Sequence, residues 1–259
     1  MKLLRRVLDA LRPKAAGPPP AAWADVLRTR TTFFARLAPP QRDELLRLMQ
    51  RFIATKRFFG NGIAVTEEMK VVVAGTACLL LLGLPRYGLF PRNPDVIIHV
   101  RDFGRVVQAV GPDGQRYEIR ESNLGQAIYR GPIRLAWSTI DAPAAHRRGR
   151  NLILHEYAHA LDFLNGLIDG TPPLETRQRA AEWARVFSGE LQRLRSDADA
   201  GRPTLLDPYG ATNPAELFAV ATECFFEQPV ELRRRHAELY AQLAAFYGQD
   251  PASTAERTV

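Results

Sequence analysis

Behind Pro39-Pro40 the chain places Leu45, Leu46, Met49, Phe52 and Ile53 at helical spacing within QRDELLRLMQRFIATKRF (41–58), with charged residues on the opposite side. That is the stripe of a helix laid on a core. The next stretch differs: VVVAGTACLLLLGL (71–84) is apolar all round, which predicts over 68–84 a helix enclosed by the rest of the fold. Downstream, VIIHV (96–100), RVVQAV (105–110) and QRYEIR (115–120) are rich in β-formers and separated by turn residues such as Gly111-Pro112-Asp113-Gly114, so they are predicted to be antiparallel strands. IRLAWS (133–138) adds another short strand. Helical patterns then cover 151–164, 174–196, 214–227 and 230–247, the last ended by Gly248. A helical front, a mixed sheet and a helical back predict one α+β domain over residues 23–247.

Two end segments fall outside that domain. Residues 1–22 set Leu3, Leu4, Val7, Leu8 and Leu11 beside Arg5, Arg6 and Arg12, then break at Gly17-Pro18-Pro19-Pro20. This reads as a short basic helix on a Pro-rich linker, docked on its own domain, frayed, or lying on a membrane surface. Residues 248–259 are polar and expected to be disordered.

Composition narrows the class. Of 259 residues 46% are hydrophobic and 24% charged, which excludes disorder for most of the chain. The net charge of +7 rests on arginine, since lysine occurs only at positions 2, 14, 56 and 70; a GC-rich genome accounts for that as well as an acidic partner does. Arg147-Arg148 and Arg233-Arg234-Arg235 raise direct nucleic-acid binding, but no nucleic-acid motif accompanies them and solvated helix faces explain them. Cys78 and Cys224 lie in apolar surroundings without CxxC spacing, as reduced core thiols do. No run reaches the roughly 18 apolar residues of a membrane span, and no secretory signal precedes Pro13. The expectation is a cytoplasmic protein without stable membrane insertion.

The chemistry is carried by His155-Glu156-Tyr157-Ala158-His159, an H-E-x-x-H motif inside the apolar helical pattern NLILHEYAHALDFL. Residues four apart share a helix face, so both imidazoles can aim at one point while Glu156 reaches a water there, an arrangement suited to tetrahedral zinc. Two buried histidines satisfied by backbone groups are the bland alternative. His99, His146 and His236 stand apart. A catalytic zinc needs a third protein ligand and an open position, and the downstream stretch YGATNPAELFAVATE (209–223) offers Glu216 and Glu223. Seven residues separate them by about 10 Å along a helix, too far for one ion. Glu216 also stands in a capping-box position relative to Asn213, and Glu223 has the reading of an acid paired with an arginine. Pattern alone leans only slightly to Glu216. Asp162, on the same face three residues after His159, is either an acceptor for a ligating imidazole or an ordinary acid near the helix end. Tyr157, turned from the metal face, reads as core.

HEYAHALD followed by YGATNPAELFAVATECFF resembles the Mlc titration factor A family of zinc peptidases, related in fold to the catalytic domain of anthrax lethal factor. The resemblance runs over about 23–247 and takes in KRFFGNGIAVTEEMKVVVAGTACLLLLGLP and GPIRLAW. It implies a zincin-like metallopeptidase domain with an HExxH active-site helix and C-terminal helices. It further implies one Zn2+ held by His155, His159 and Glu216, with Glu156 as general base and Tyr209 as hydroxyl donor to the transition state. Val220 departs from lethal factor, which has an acid there. The activity implied is peptide hydrolysis, aminopeptidase-like on small peptides. From its place just before the active-site helix, IRLAWS is expected to be an edge along which an extended substrate adds as a strand. Family members also bind and inactivate a transcriptional repressor, Mlc. The alternative reading is therefore a non-catalytic regulatory protein that sequesters a repressor of sugar-uptake genes.

Overall fold

A computed structural model describes residues 17–110, 116–123, 125–127, 131–142 and 149–256. Residues 1–16 of the expected basic helix and linker (1–22), the turn at 111–114, His146 and Arg147-Arg148 lie outside these. Helix α1 (Ala21–Arg30) and the amphipathic α2 (Pro39–Thr55) precede α3 (Glu67–Leu79), whose residues from Met69 onward are all buried save Lys70. Thr66 caps α3 by accepting from the Met69 N–H. The all-round apolar run is thus an enclosed helix, ending at Leu79 rather than Leu84.

A four-stranded mixed sheet lies in the order β1 (Arg57–Asn61), β2 (Asp95–His99), β6 (Ile133–Ala136), β5 (Gly125–Ala127). β1, β2 and β6 run parallel, and β5 is antiparallel to β6. β3 (Phe103–Val110) and β4 (Arg116–Asn123) form a separate antiparallel pair. Expectations about the sheet need correction, among others. VIIHV is a parallel strand, because the long excursions through 62–94 and 100–132 bring distant segments to its two sides. The helical run over 41–58 stops at Thr55, and Arg57 onward is strand β1. IRLAWS is strand only to Ala136 and is no edge: β2 and β5 flank it, and β5 is outermost.

Val96, Ile98, Ile133 and Leu135 turn one sheet face into the core, where α3 and α5 (Leu152–Asp162) pack; the short α4 (Trp137–Ile140) leads toward α5. The chain then returns through α6 (Arg177–Asp199), α7 (Pro214–Glu227), α8 (Pro229–Arg235), α9 (Ala237–Tyr247) and α10 (Pro251–Glu256). The pattern over 230–247 is two helices broken at His236. The tail expected to be disordered carries α10, in which Ala252 is fully buried and its N–H donates to the Tyr240 hydroxyl. Cys78 and Cys224 are free, buried thiols. Among the described residues no helix is long and apolar enough to cross a membrane.

Candidate metal centre

Helix α5 begins at Asn151, whose side chain accepts from the Leu154 N–H at 3.2 Å. Its apolar residues Leu154, Tyr157, Ala158 and Leu161 are buried completely, which leaves His155 and His159 facing α7. Helix α7 starts with Pro214 at its first position, and the Asn213 side chain accepts from the Glu216 N–H at 3.0 Å. Asn213 alone therefore makes the side-chain cap, and the Glu216 carboxylate is turned elsewhere. Its Oε2 lies 3.0 Å from His155 Nε2 and 3.4 Å from His159 Nε2, and the two Nε2 atoms are 3.2 Å apart.

Those three separations test a metal directly. At zinc-to-ligand distances of 2.0–2.2 Å, tetrahedral ligand atoms stand about 3.3 Å from one another. The observed triangle of 3.0, 3.2 and 3.4 Å fits, and two imidazoles with one carboxylate is a donor set suited to such an ion. Among the described residues His155, His159 and Glu216 form the one cluster of this kind.

Behind this triangle, Glu223 Oε1 sits 2.8 Å from His155 Nδ1, and its Oε2 accepts from the Asn151 N–H. A ring proton on Nδ1 directed at this carboxylate would leave Nε2 free to ligate a metal. Neither reading of Glu223 offered by the sequence, rival ligand or arginine partner, describes this contact. Its spacing of seven from Glu216 keeps both acids on one face of α7, which is the signal that could have found it. Asn151 Nδ2 donates in turn to Glu227 at 2.7 Å.

Glu156 is 4% exposed. Burial pushes its carboxyl up to about 8, against the pull of His155 and with a further push from Glu216 and Glu223. The Ala127 backbone at the end of β5 hydrogen-bonds to it. Burial also disfavours a charged His155, yet its hydrogen bonds to Glu216 and Glu223 outweigh that and raise it well above its usual value. Burial works against ionised Glu216 too, and the hydrogen bonds from His155 and His159 nonetheless draw it down to about 2.

Tyr209 stands on the short turn Pro208–Ala211, its ring centroid 6.2 Å from that of His155. It is 56% exposed, and partial burial near Glu216 and Glu156 raises its hydroxyl above the ordinary value. Asp207 fixes the turn by accepting from the Tyr209 N–H at 3.0 Å while pairing with Arg150, next to the start of α5. Asp162 is not joined to His159. Its Oδ2 accepts from the Gly170 N–H at 3.0 Å, whereas its Oδ1 and His159 Nδ1 are both buried without a hydrogen-bond partner. Burial pushes Asp162 up to about 6, opposed by the Gly170 hydrogen bond.

A family model described as glucose-regulated metallo-peptidase M90 matches residues 7–248. The chain is similar to an uncharacterized protein of Synechocystis, 38% identical over 90% of this chain and 86% of the relative. It is similar also to Mlc titration factor A of Cronobacter sakazakii, 33% identical over 90% of this chain and 87% of that protein. Mlc titration factor A of Edwardsiella ictaluri is 38% identical over 84% of each.

Proposed function

The chain belongs to the glucose-regulated metallo-peptidase M90 family, and we propose that it is a zinc-dependent peptidase with His155, His159 and Glu216 as ligands. The observation that carries this reading is the triangle of ligand atoms beside the buried Glu156 carboxyl. Zinc bound there would supply Lewis-acid polarisation of a water and of the scissile carbonyl. Glu156 takes the proton from the attacking water and passes it to the leaving amine, as a carboxylate beside the ligand cluster can. Tyr209 donates its hydroxyl proton in a hydrogen bond to the developing oxyanion, a contact worth about 3–4 kcal/mol where one such donor is removed. Glu223 holds His155 in the tautomer that ligates. An extended peptide adds along the outer side of β5, the strand whose Ala127 backbone meets Glu156. Aminopeptidase-like action on small peptides is the substrate class we assign.

The test is hydrolysis of paired blocked and free-amino chromogenic peptides by zinc-loaded protein, with chelator and Glu156→Gln as controls. Activity abolished by both controls, and higher on the free-amino member of each pair, is the expected result. An inactive zinc-loaded wild type overturns the peptidase reading.

A second reading is favoured by the name Mlc titration factor A borne by relatives. In that reading the chain binds a Mlc-like transcriptional repressor through a surface apart from the metal centre. Cells carrying Glu156→Gln distinguish the two: a regulatory phenotype that persists belongs to binding, and one that disappears belongs to catalysis.

A further inference from the structure

Among the described residues Phe90 is the one non-glycine with positive φ, at +49°. That is an unfavourable backbone state for a bulky side chain, and it persists only where the surroundings over-determine it. The Phe90 ring is buried and stands edge-on to Tyr157 with centroids 4.6 Å apart, and to Phe52 at 6.4 Å. Tyr157 lies between His155 and His159 in sequence, and two residues along a helix is about 200° around it. Phe90 therefore braces the back of the helix whose front carries the ligands.

The rest of the turn grips neighbouring segments. Arg92 donates to the Phe163 carbonyl just past the end of α5, and Asn93 Nδ2 donates to the Gly131 carbonyl ahead of β6 at 3.0 Å. The Asn93 N–H closes the turn on the Phe90 carbonyl at 3.1 Å. Lys56, between α2 and β1, reaches in so that Nζ donates to the carbonyls of both Phe90 and Asn93, each at 2.7 Å. Its charge lies 5.6 Å from the Phe52 ring centroid.

We propose that Lys56 is a positioning residue for the metal-ligating helix, acting through the turn 90–93. By tying both ends of that turn it holds Phe90 in its strained conformation against Tyr157, and so sets the rotation of α5 about its own axis. The lever is sensitive. Turning a helix by about 10° moves a side-chain atom 6 Å or so from the axis by about 1 Å, several times the roughly 0.2 Å tolerance of a metal-ligand distance. Only 9% of Lys56 is exposed, and burial draws its ammonium down to about 8. The donors that serve the two carbonyls are what an apolar side chain of equal size would lack.

The inference rests on the metal-centre reading above, and metal binding tests it without reference to turnover. Zinc affinity, from competition with a chromogenic chelator, and the visible absorption of the cobalt(II)-substituted protein are measured for wild type, Lys56→Met and Leu45→Ala. Leu45 is a fully buried residue of α2 that takes no part in the turn's hydrogen bonds or ring contacts and controls for loss of stability alone. Lys56→Met is expected to keep a cooperative thermal transition, to weaken zinc binding about tenfold and to alter the cobalt spectrum, while Leu45→Ala melts lower with both unchanged. A Lys56→Met protein with wild-type affinity and spectrum overturns the proposal. If Lys56→Met does not fold, Phe90→Leu answers the same question: an altered spectrum supports the brace and a wild-type spectrum overturns it. A wild type that binds neither ion overturns the metal centre itself, and this proposal with it.

Discussion

Glu156 shows what the site demands of one residue. In metal-free protein the folded chain keeps this carboxyl protonated to about pH 8, whereas an unfolded glutamate releases its proton near about 4.3. Across that window the folded state binds more protons, so this group's contribution to stability falls as pH rises. Chelated Glu156→Gln is therefore expected to melt above chelated wild type at pH 8, with the gap closing toward pH 4.5; equal melting temperatures at pH 8 would refute the burial argument. Glu223 is the complementary case. Its contacts with His155 Nδ1 and the Asn151 N–H serve the ligand and not the ion, so Glu223→Gln is expected to weaken zinc binding 10–100-fold, the usual effect of losing such a partner. Competition titration against a chelator reads it. The motif residues were legible in the sequence because i and i+4 on a helix meet wherever the helix forms. Glu223 was legible only as sharing a face of α7 with Glu216; that it meets His155 Nδ1 depends on how α7 lies against α5, a tertiary fact.

At the scale of elements the candidate centre is a pairing of two helices, and their ends decide where His155, His159 and Glu216 stand. Glu216 is in the first turn of α7, so the Asn213 cap that starts this helix also sets the height of its carboxylate. Asn213→Ala is expected to cost about 1 kcal/mol and to weaken metal binding as well, seen as a lower melting temperature together with a poorer chelator competition. The loop that leaves α5 meets the same helix end. Gly170 has φ +74°, and a Cβ there would fall 2.2 Å from the Pro214 carbonyl oxygen. Its N–H is held by Asp162 and its carbonyl accepts from the Trp183 indole at 3.0 Å. Gly170→Ala has to move either the loop or the start of α7, so it is expected to destabilise more than the Asn213 change in the same melt. The amphipathic α2 was legible from its period, and α3 from its unbroken apolar run. β1 was not: RFFGN lacks a two-residue alternation of apolar and polar positions and continues directly from a helical run. The parallel pairing of β2 was invisible because its partners come from segments tens of residues away.

Over the whole molecule the metal centre sits on a core that does not depend on it. One continuous apolar cluster runs from Trp23 in α1 through the sheet and α5 to Ala252 in α10, unlike small zinc domains that fold only around their ion. Glu216 and Glu223 already hydrogen-bond to His155 in the folded chain. Removing metal is therefore expected to leave the fold standing and lower only its stability by mass action. A site occupied at about a hundredfold excess over Kd adds about 2.7 kcal/mol, which for a chain of this size is roughly 5–10 °C of melting temperature. Saturating zinc should raise the wild-type transition by that amount, chelator should return it to the apo value without loss of far-ultraviolet circular dichroism, and Glu216→Ala should respond to neither. A chelated protein that loses its helical signal at room temperature would show instead that the ion organises the fold and that the apolar cluster does not suffice.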